Sequence, residues 1–486
     1  MTRQDNEVAA GAIVEDRVRL EKLHSELRGL LAPVFAQARS RFTAFAYIGA
    51  LLAERGDRKS CWQLAEAAGH ATPRRMQALL AGHAWDWTAA LAALQRFIAA
   101  HLGDPEAIVV LDETAELKKG DRTVGVARQH AGITGQVENC QTVVFAACVT
   151  ARAHALFGFR LYLPKPWCQD GKRREQAHVP DETEFTTKPA LGTAMLTSAA
   201  SAGVPFAWAA ADEVYGRSSK LREACEKAGK GYVLAVPVNF QVRLPSGRKA
   251  AVSAVAAMVP ATAWGLVRAR LQGPPRLRLG LGRHVLAAAL GADPPQPVRP
   301  VGPGVLLLPR AAGPAGIPAP PDPGRRKRWP VEECLQQGKG QAGLDQHQVR
   351  TWQSFHRHTV LSMCAQALLA IAAARPVPPA RTGDDQPAVG DGQPAAWRDT
   401  GKLPAIAGGP VAGGGGELAG DRPPGDDPGL VKVSVPEARH LARLATAPVS
   451  RAARDLGYAW SRWRRRHQAR ARWHHYHARL KAARVT

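Results

Sequence analysis

Little in this chain suits a protein held together by disulfides, stapled by zinc or embedded in a membrane. The seven cysteines (Cys61, Cys140, Cys148, Cys168, Cys225, Cys334 and Cys364) are scattered, odd in number and free of any Cys-x-x-Cys pair. That argues against a disulfide framework and against structural zinc. No apolar N-terminal segment precedes a cleavage site, and no apolar run reaches membrane-spanning length, so a cytoplasmic protein with no membrane partner is expected. A glycine loop ending in Lys-Ser or Lys-Thr is also missing, which speaks against an ATP-driven nuclease or helicase. Acidic residues are in deficit: 41 Asp and Glu face 65 Lys and Arg, for a net charge of +24. A polyanionic partner, nucleic acid above all, accounts for this most simply; an arginine-rich coding bias is the plainer account.

What is present is enough for two to three domains: 486 residues with an apolar fraction of 45%. Residues 15–103 read as an all-helical domain, with Leu20, Leu23, Leu27, Leu30 and Leu31 at helical spacing, then Phe42, Phe45, Ile48, Leu51 and Leu52. Within residues 59–80 a short apolar helix meets Gly69, and Thr72-Pro73 opens a second helix carrying Arg74 and Arg75. Thr72 suits an N-cap with Pro73 at the first helical position. The pair fits a helix-turn-helix that touches DNA through Arg74 and Arg75, and equally a plain helical hairpin with solvated arginines. From 104 to 242 strands and helices succeed each other. Strands are expected at 107–111, 123–128, 141–149, 155–163, 206–211 and 232–237, with helices at 188–202 and 220–228. The expected class is α/β, a mixed sheet with helical cover.

Two stretches, 273–324 and 375–429, are crowded with Pro and Gly and keep neither period, so they read as linker or disorder. The organisation is therefore 104–242 and 326–374 as two parts of one core, 243–325 as an insertion, 375–429 as a linker and 430–486 as a basic helical tail. In that tail Arg464, Arg465 and Arg466 lie among Trp460, Trp463 and Trp473, a pattern suited to tracking phosphates with stacking aromatics or to a solvated charged helix.

Chemistry concentrates where strands meet carboxylates. Ile108, Val109, Val110 and Leu111 form an apolar run that reads as a strand buried on both faces, and Asp112 follows at once. Asp212 stands at the same kind of place after residues 206–211. Two-metal phosphoryl transfer needs carboxylates converging on a pair of ions, with a third acid from a helix across the sheet. Glu332 and Lys339 are seven residues apart and share one helix face if the helix persists through Gly338, while Glu333 points about 100° away. His356, His358, His474, His475 and His477 have no cysteine at ligand spacing, so solvated or phosphate-contacting roles are expected rather than zinc.

The stretches LDETAELKKG, VGVARQHAG, ENCQTVVFAA, LYLPKPW, TKP, AADEVYG, YVLAVP and WPVEECLQQGKGQAGLDQHQVRTW resemble the DDE transposases of bacterial insertion sequences. The resemblance runs over residues 62–374 apart from the first Pro/Gly segment. It implies an RNase H-like core and a metal-binding catalytic triad of Asp112, Asp212 and Glu332. It also implies two Mg²⁺ ions, replaceable by Mn²⁺, with Arg328 and Lys339 flanking the glutamate on DNA phosphates. Lys118 and Lys119, closing the first motif, join the DNA-contacting candidates. The implied partners are double-stranded transposon ends and target DNA, held by a homodimer or larger assembly at the bacterial nucleoid. The sequence departs from the family at three places. Arg325 stands where the glutamate signature carries tyrosine, and Ala115-Glu116 where Gly-Phe is usual. Residues 273–324 do not alternate like the mainly β insertion of such relatives, as a slipped reading frame or a decayed copy would leave them. A catalytically inactive DNA-binding remnant is therefore the alternative, and a regulator acting through residues 59–80 a third reading.

Overall fold

The computed structural model describes residues 3–54, 58–237, 239–243, 247–257, 264–266, 278–280, 304–307, 330–374 and 434–446, with 461, 465–466, 468–470 and 473–474 of the tail. Five helices come first: α1 (Arg3–Leu31), α2 (Ala38–Ala53), α3 (Cys61–Ala67), α4 (Arg74–Ala81) and α5 (Trp87–Leu102). The leucine series of α1 faces inward, with Leu20, Leu23, Leu27 and Leu31 all buried. Between α3 and α4 the chain turns at Gly69 with a φ of +72°, which suits glycine. Thr72 does not cap α4. The flanking position is held by Pro73 and no side chain accepts from the helix start.

A mixed seven-stranded sheet follows. Its strands are β1 (Ile108–Leu117), β2 (Ala127–Ala131), β3 (Gln136–Val149), β4 (His154–Leu161), β5 (Trp208–Ala211), β6 (Gly231–Pro237) and β11 (Gly304–Leu307). Neighbours run in the order β11-β6-β5-β1-β3, with β2 and β4 pairing different stretches of the long β3. β1 is antiparallel to β3 and parallel to β5, and β5 is parallel to β6. Two-stranded pairs form beside it, β7 (Gln241–Arg243) with β8 (Lys249–Ala251), and β9 (Trp264–Leu266) with β10 (Arg278–Gly280). β10 and β11 correct the reading of 273–324 as free of strands: the apolar run at 304–307 pairs with the edge strand β6. Strand β2 begins at Ala127 rather than Thr123, and residues 132–135 close the hairpin to β3.

Helices cover both faces. On one side lie α8 (Lys188–Ser201), α9 (Glu213–Gly216) and α10 (Ser219–Lys227); on the other lie α12 (Pro330–Ala342) and α13 (Trp352–Ala373). The short α6 (Lys165–Gln169), α7 (Gly171–Gln176) and α11 (Val252–Ala257) fill connections, and α14 (Val435–Thr446) packs on α2. Helix α13 is buried on nearly all sides because it touches both layers, α1, α2, α4 and α5 on one side and β4 on the other. The helices and the sheet thus share one continuous apolar core. His356 and His358 sit inside that core, which corrects their reading as solvated or phosphate-contacting. The His356 ring lies 4.4 Å from Trp87 and 4.3 Å from Trp352, and His358 is bonded to Tyr47 and to the Gly343 carbonyl. Burial drives the pKa of each histidine down to about 3, so both are neutral packing groups.

Candidate active site

β1 does not stop at Leu111 but runs on to Leu117, so Asp112 lies within the strand and not after it. Period-two alternation then divides its polar residues between the two faces. Glu113 points to the α8 face, where it accepts from Lys188 Nζ at 2.9 Å and from the Tyr215 hydroxyl at 2.7 Å. Asp112, Thr114 and Glu116 point to the α12 face. There Lys339 Nζ donates to Thr114 Oγ1 at 2.7 Å, and His347 meets Glu116.

The two aspartates are brought side by side by strand pairing. Leu111 is in register with Ala211 on the parallel strand β5, so Asp112 and Asp212 each stand one residue beyond the last pair. Strand spacing puts their backbones about 5 Å apart. Asp212 ends its strand and caps α9, its Oδ1 accepting from Val214 N–H at 2.9 Å. Gly216 closes α9 against β6; a Cβ there would land on the Ala235 carbonyl. Gly216→Ala is expected to destabilise the protein by at least ~2 kcal/mol, since backbone leaves no room to repack. Thermal or urea unfolding measures it, and a loss below about 0.5 kcal/mol would show that α9 is loosely seated.

Helix α12 does persist through Gly338, whose bare Cα accommodates Leu344. Glu332 is exposed at its first turn, and Lys339 reaches β1 two turns on. Glu333 turns aside to His154 Nε2, 3.3 Å away. Burial pushes the Asp112 carboxyl up to about 7; the bond from Glu113 N–H opposes this, while the negative fields of Asp212, Glu113 and Glu332 add to it. Burial, then Glu113, also raises Asp212. Glu332 is therefore within electrostatic reach of Asp112. Among the described residues no three ligating side chains yet close on a single point, and neither aspartate has a cationic partner.

The nearest cations are committed elsewhere, Lys188 to Glu113 and Lys339 to Thr114. A half-buried carboxylate without a cation, in a set of oxygen donors only, fits a hard divalent metal. Lys339 was expected on a phosphate; in this structure it braces β1 two residues from Asp112 instead.

Of the other DNA candidates, Arg74, Arg75 and Lys119 are exposed, while Lys118 lies 3.1 Å from Glu116. Arg465 and Arg466 are buried, and Arg465 pairs with Asp16, which places that charge inside the protein. Arg328 and Arg464 lie outside the described residues, as do Arg325, His475, His477 and all of 375–429.

A family model for the DDE superfamily endonucleases matches residues 30–254. It takes in both aspartates and stops short of Glu332. Over that stretch, just under half of its length, the chain is similar to DDE superfamily endonucleases. A probable transposase for insertion sequence element IS701 from Microchaete diplosiphon is 25% identical over 212 residues, or 43% of this chain and 53% of that protein. The chain thus spans about half the length of the curated relative it matches. DDE endonucleases generally use divalent metal ions, in keeping with the oxygen donors found here.

Two charged clusters of this DDE relative escaped sequence reasoning. The Lys188–Glu113–Tyr215 brace joins motifs that were each visible, TKP and DEVYG, without showing that they meet. The second is Glu116, an odd residue for its motif. It is 5% exposed, 3.0 Å from His347 Nε2 and 3.1 Å from Lys118 Nζ. Burial opposes its charge, yet His347 and Lys118 hold the carboxyl down to about 2; burial lowers the pKa of His347 itself, so the imidazole serves chiefly as a hydrogen-bond donor through Nε2–H. A depressed acid contributes stability that is complete above its unfolded pKa and fades as pH falls through the folded value. That contribution should be lost between about pH 4.5 and 2. Glu116→Gln should be less stable than the wild type at pH 6, with the gap closing towards pH 2 in urea titrations. A gap that is constant with pH would mean that Glu116 is not the charged member.

Proposed function

We propose that the protein is a transposase that nicks DNA at the ends of its element and joins those ends to target DNA. The observation that carries this reading is Asp112, half-buried and without a cation beside Asp212 after the neighbouring parallel strand, with Glu332 on the helix crossing β1. The core is RNase H-like in this reading: three antiparallel strands, then two parallel ones, with the acids on the central pair. Asp112, Asp212 and Glu332 would hold the divalent ions, with Mg²⁺ the natural choice and Mn²⁺ a substitute. When bound, such ions lower the barrier by polarising the phosphoryl oxygens and favouring the deprotonated attacking oxygen.

The chain's own residues do the positioning. Lys188 and Tyr215 take both Glu113 oxygens, which fixes β1 against α8 and α9 and keeps that carboxylate off the metal face. Lys339 locks α12 on Thr114, so that Glu332 is carried towards Asp112. The Val214 N–H orients the Asp212 carboxylate. Exposed Arg74 and Arg75 on α4 are available to DNA phosphates, as a helix-turn-helix would use them. A dimer or larger assembly would be needed to hold two ends together.

The test is incubation of the full chain with duplex carrying the element's terminal repeats, with and without Mg²⁺. Metal-dependent 3′ nicks at the repeat boundary support the reading. Salt-sensitive binding with no nicking in Mg²⁺ or Mn²⁺ would leave the inactive DNA-binding remnant in its place.

A further inference from the structure

We infer that a basic groove about 20 Å along β1 from the acids holds the backbone of duplex DNA flanking the cleaved phosphate. The inference rests on the transposase reading and adds to it a second, non-catalytic DNA-holding surface. The groove lies where three segments meet: residues 117–123 after β1, residues 345–350 between α12 and α13, and Arg58 before α3. Arg58, Lys119, Arg122 and Arg350 are exposed on it, and no ion pair occupies any of the four among the described residues. The acids on its lining are Asp121 and Asp345, so the cations prevail even with Lys118 neutralised by Glu116.

The walls are fixed in place. Val124 N–H donates to the Arg350 carbonyl at 2.9 Å, which ties two of the segments together. The Asn139 amide donates to the Lys118 and Gly120 carbonyls at 2.7 and 3.0 Å, and an Arg173 guanidinium N–H donates to the Asp121 carbonyl at 2.8 Å. With a volume of about 1050 Å³, the groove is far larger than one phosphate requires. A preset row of cations on a wide surface suits a polymer of phosphates, and the four would neutralise about as many of them.

Position sets the register. Lys118 follows the last residue of β1, six residues beyond Asp112, and at a strand rise of about 3.4 Å per residue this is roughly 20 Å. Duplex DNA advances about 3.4 Å per base pair, so the groove lies some six base pairs from the cleaved bond.

The test compares the wild type, an Arg58→Ala, Lys119→Ala, Arg122→Ala, Arg350→Ala variant and a charge-matched control. The control replaces the exposed Lys22, Lys172, Lys220 and Lys227 with Ala. Each binds a terminal-repeat duplex of about thirty base pairs, and the same duplex trimmed to about four base pairs on one or other side of the scissile phosphate. On the long duplex the slope of log affinity against log salt is expected to fall by about 3 to 4 in the groove variant and to stay put in the control. Trimming one particular side should weaken the wild type and leave the groove variant unchanged. A groove variant that keeps the wild-type slope, or loses it equally on both trimmed duplexes, would overturn the inference. Nicking in Mg²⁺ separates the two claims. Wild-type nicking without groove effects would retain the transposase and remove the groove; length-dependent groove binding without any nicking would do the reverse.

Discussion

Asp212→Asn is expected to reduce Mg²⁺-dependent strand cleavage by at least about a thousandfold, some 4 kcal/mol of barrier, while DNA binding stays near the wild-type level. The substitution keeps side-chain size, and its amide oxygen can still accept from Val214 N–H, so α9 should remain capped. Only the charge that would draw a cation to the carboxyl ends of β5 and β1 is lost. Asp112→Asn should be equally inactive but, without metal, more thermostable than the wild type at pH 8. The reason is that Asp112 is partly desolvated with no cation, so its charge costs folding free energy until an ion compensates it. Mg²⁺ should accordingly raise the Tm of the wild type and leave that of Asp112→Asn unmoved, by mass action on the folded state. Retained cleavage in Asp212→Asn would remove the triad assignment. An Asp112→Asn protein less stable than the wild type would show that the carboxylate already has a partner.

The acids were legible in the sequence because their positions are local features: an apolar run, then a charge. Strand pairing did the rest, setting Leu111 beside Ala211 and so Asp112 beside Asp212. Local pattern failed at the end of β1, since Asp112, Thr114 and Glu116 continue the alternation with polar residues on the side facing α12. Nothing local distinguishes that from a loop. It failed again for Glu113 and Glu116, whose partners Lys188, Tyr215 and His347 are 75, 102 and 231 residues away. Histidines and arginines were misjudged for a related reason. A buried imidazole needs only a carbonyl and a hydroxyl, as His358 finds in Gly343 and Tyr47, and neither has a sequence signature. The shared face of Glu332 and Lys339 was conditional on the helix passing Gly338, and it does so because a bare Cα there leaves room for Leu344.

The largest effect on stability is expected at Arg357, a residue with no part in the chemistry. It is fully buried in α13, and its guanidinium donates to the Leu80 carbonyl at 3.2 Å and to the Trp85 carbonyl at 2.6 Å. The same group lies 4.8 Å from the centre of the Trp85 ring, and the Trp85 indole N–H donates to the Leu79 carbonyl. Burial lowers its pKa to about 10, with the field of Asp86 opposing, so it is still a cation at neutral pH. Arg357 thereby closes the turn between α4 and α5 onto the helix that also covers the sheet. Arg357→Ala would open a cavity and leave two buried carbonyls unpaired, at a cost of about 3–5 kcal/mol. Arg357→Met keeps most of the volume and should cost about 2 kcal/mol less, which separates the packing loss from the polar loss. Since α1–α5 and the sheet share one core, urea unfolding of Arg357→Ala should remain a single transition at lower midpoint. Two resolved transitions, with the sheet surviving the first, would mean that the helices fold apart from the catalytic core and that α13 merely rests between them.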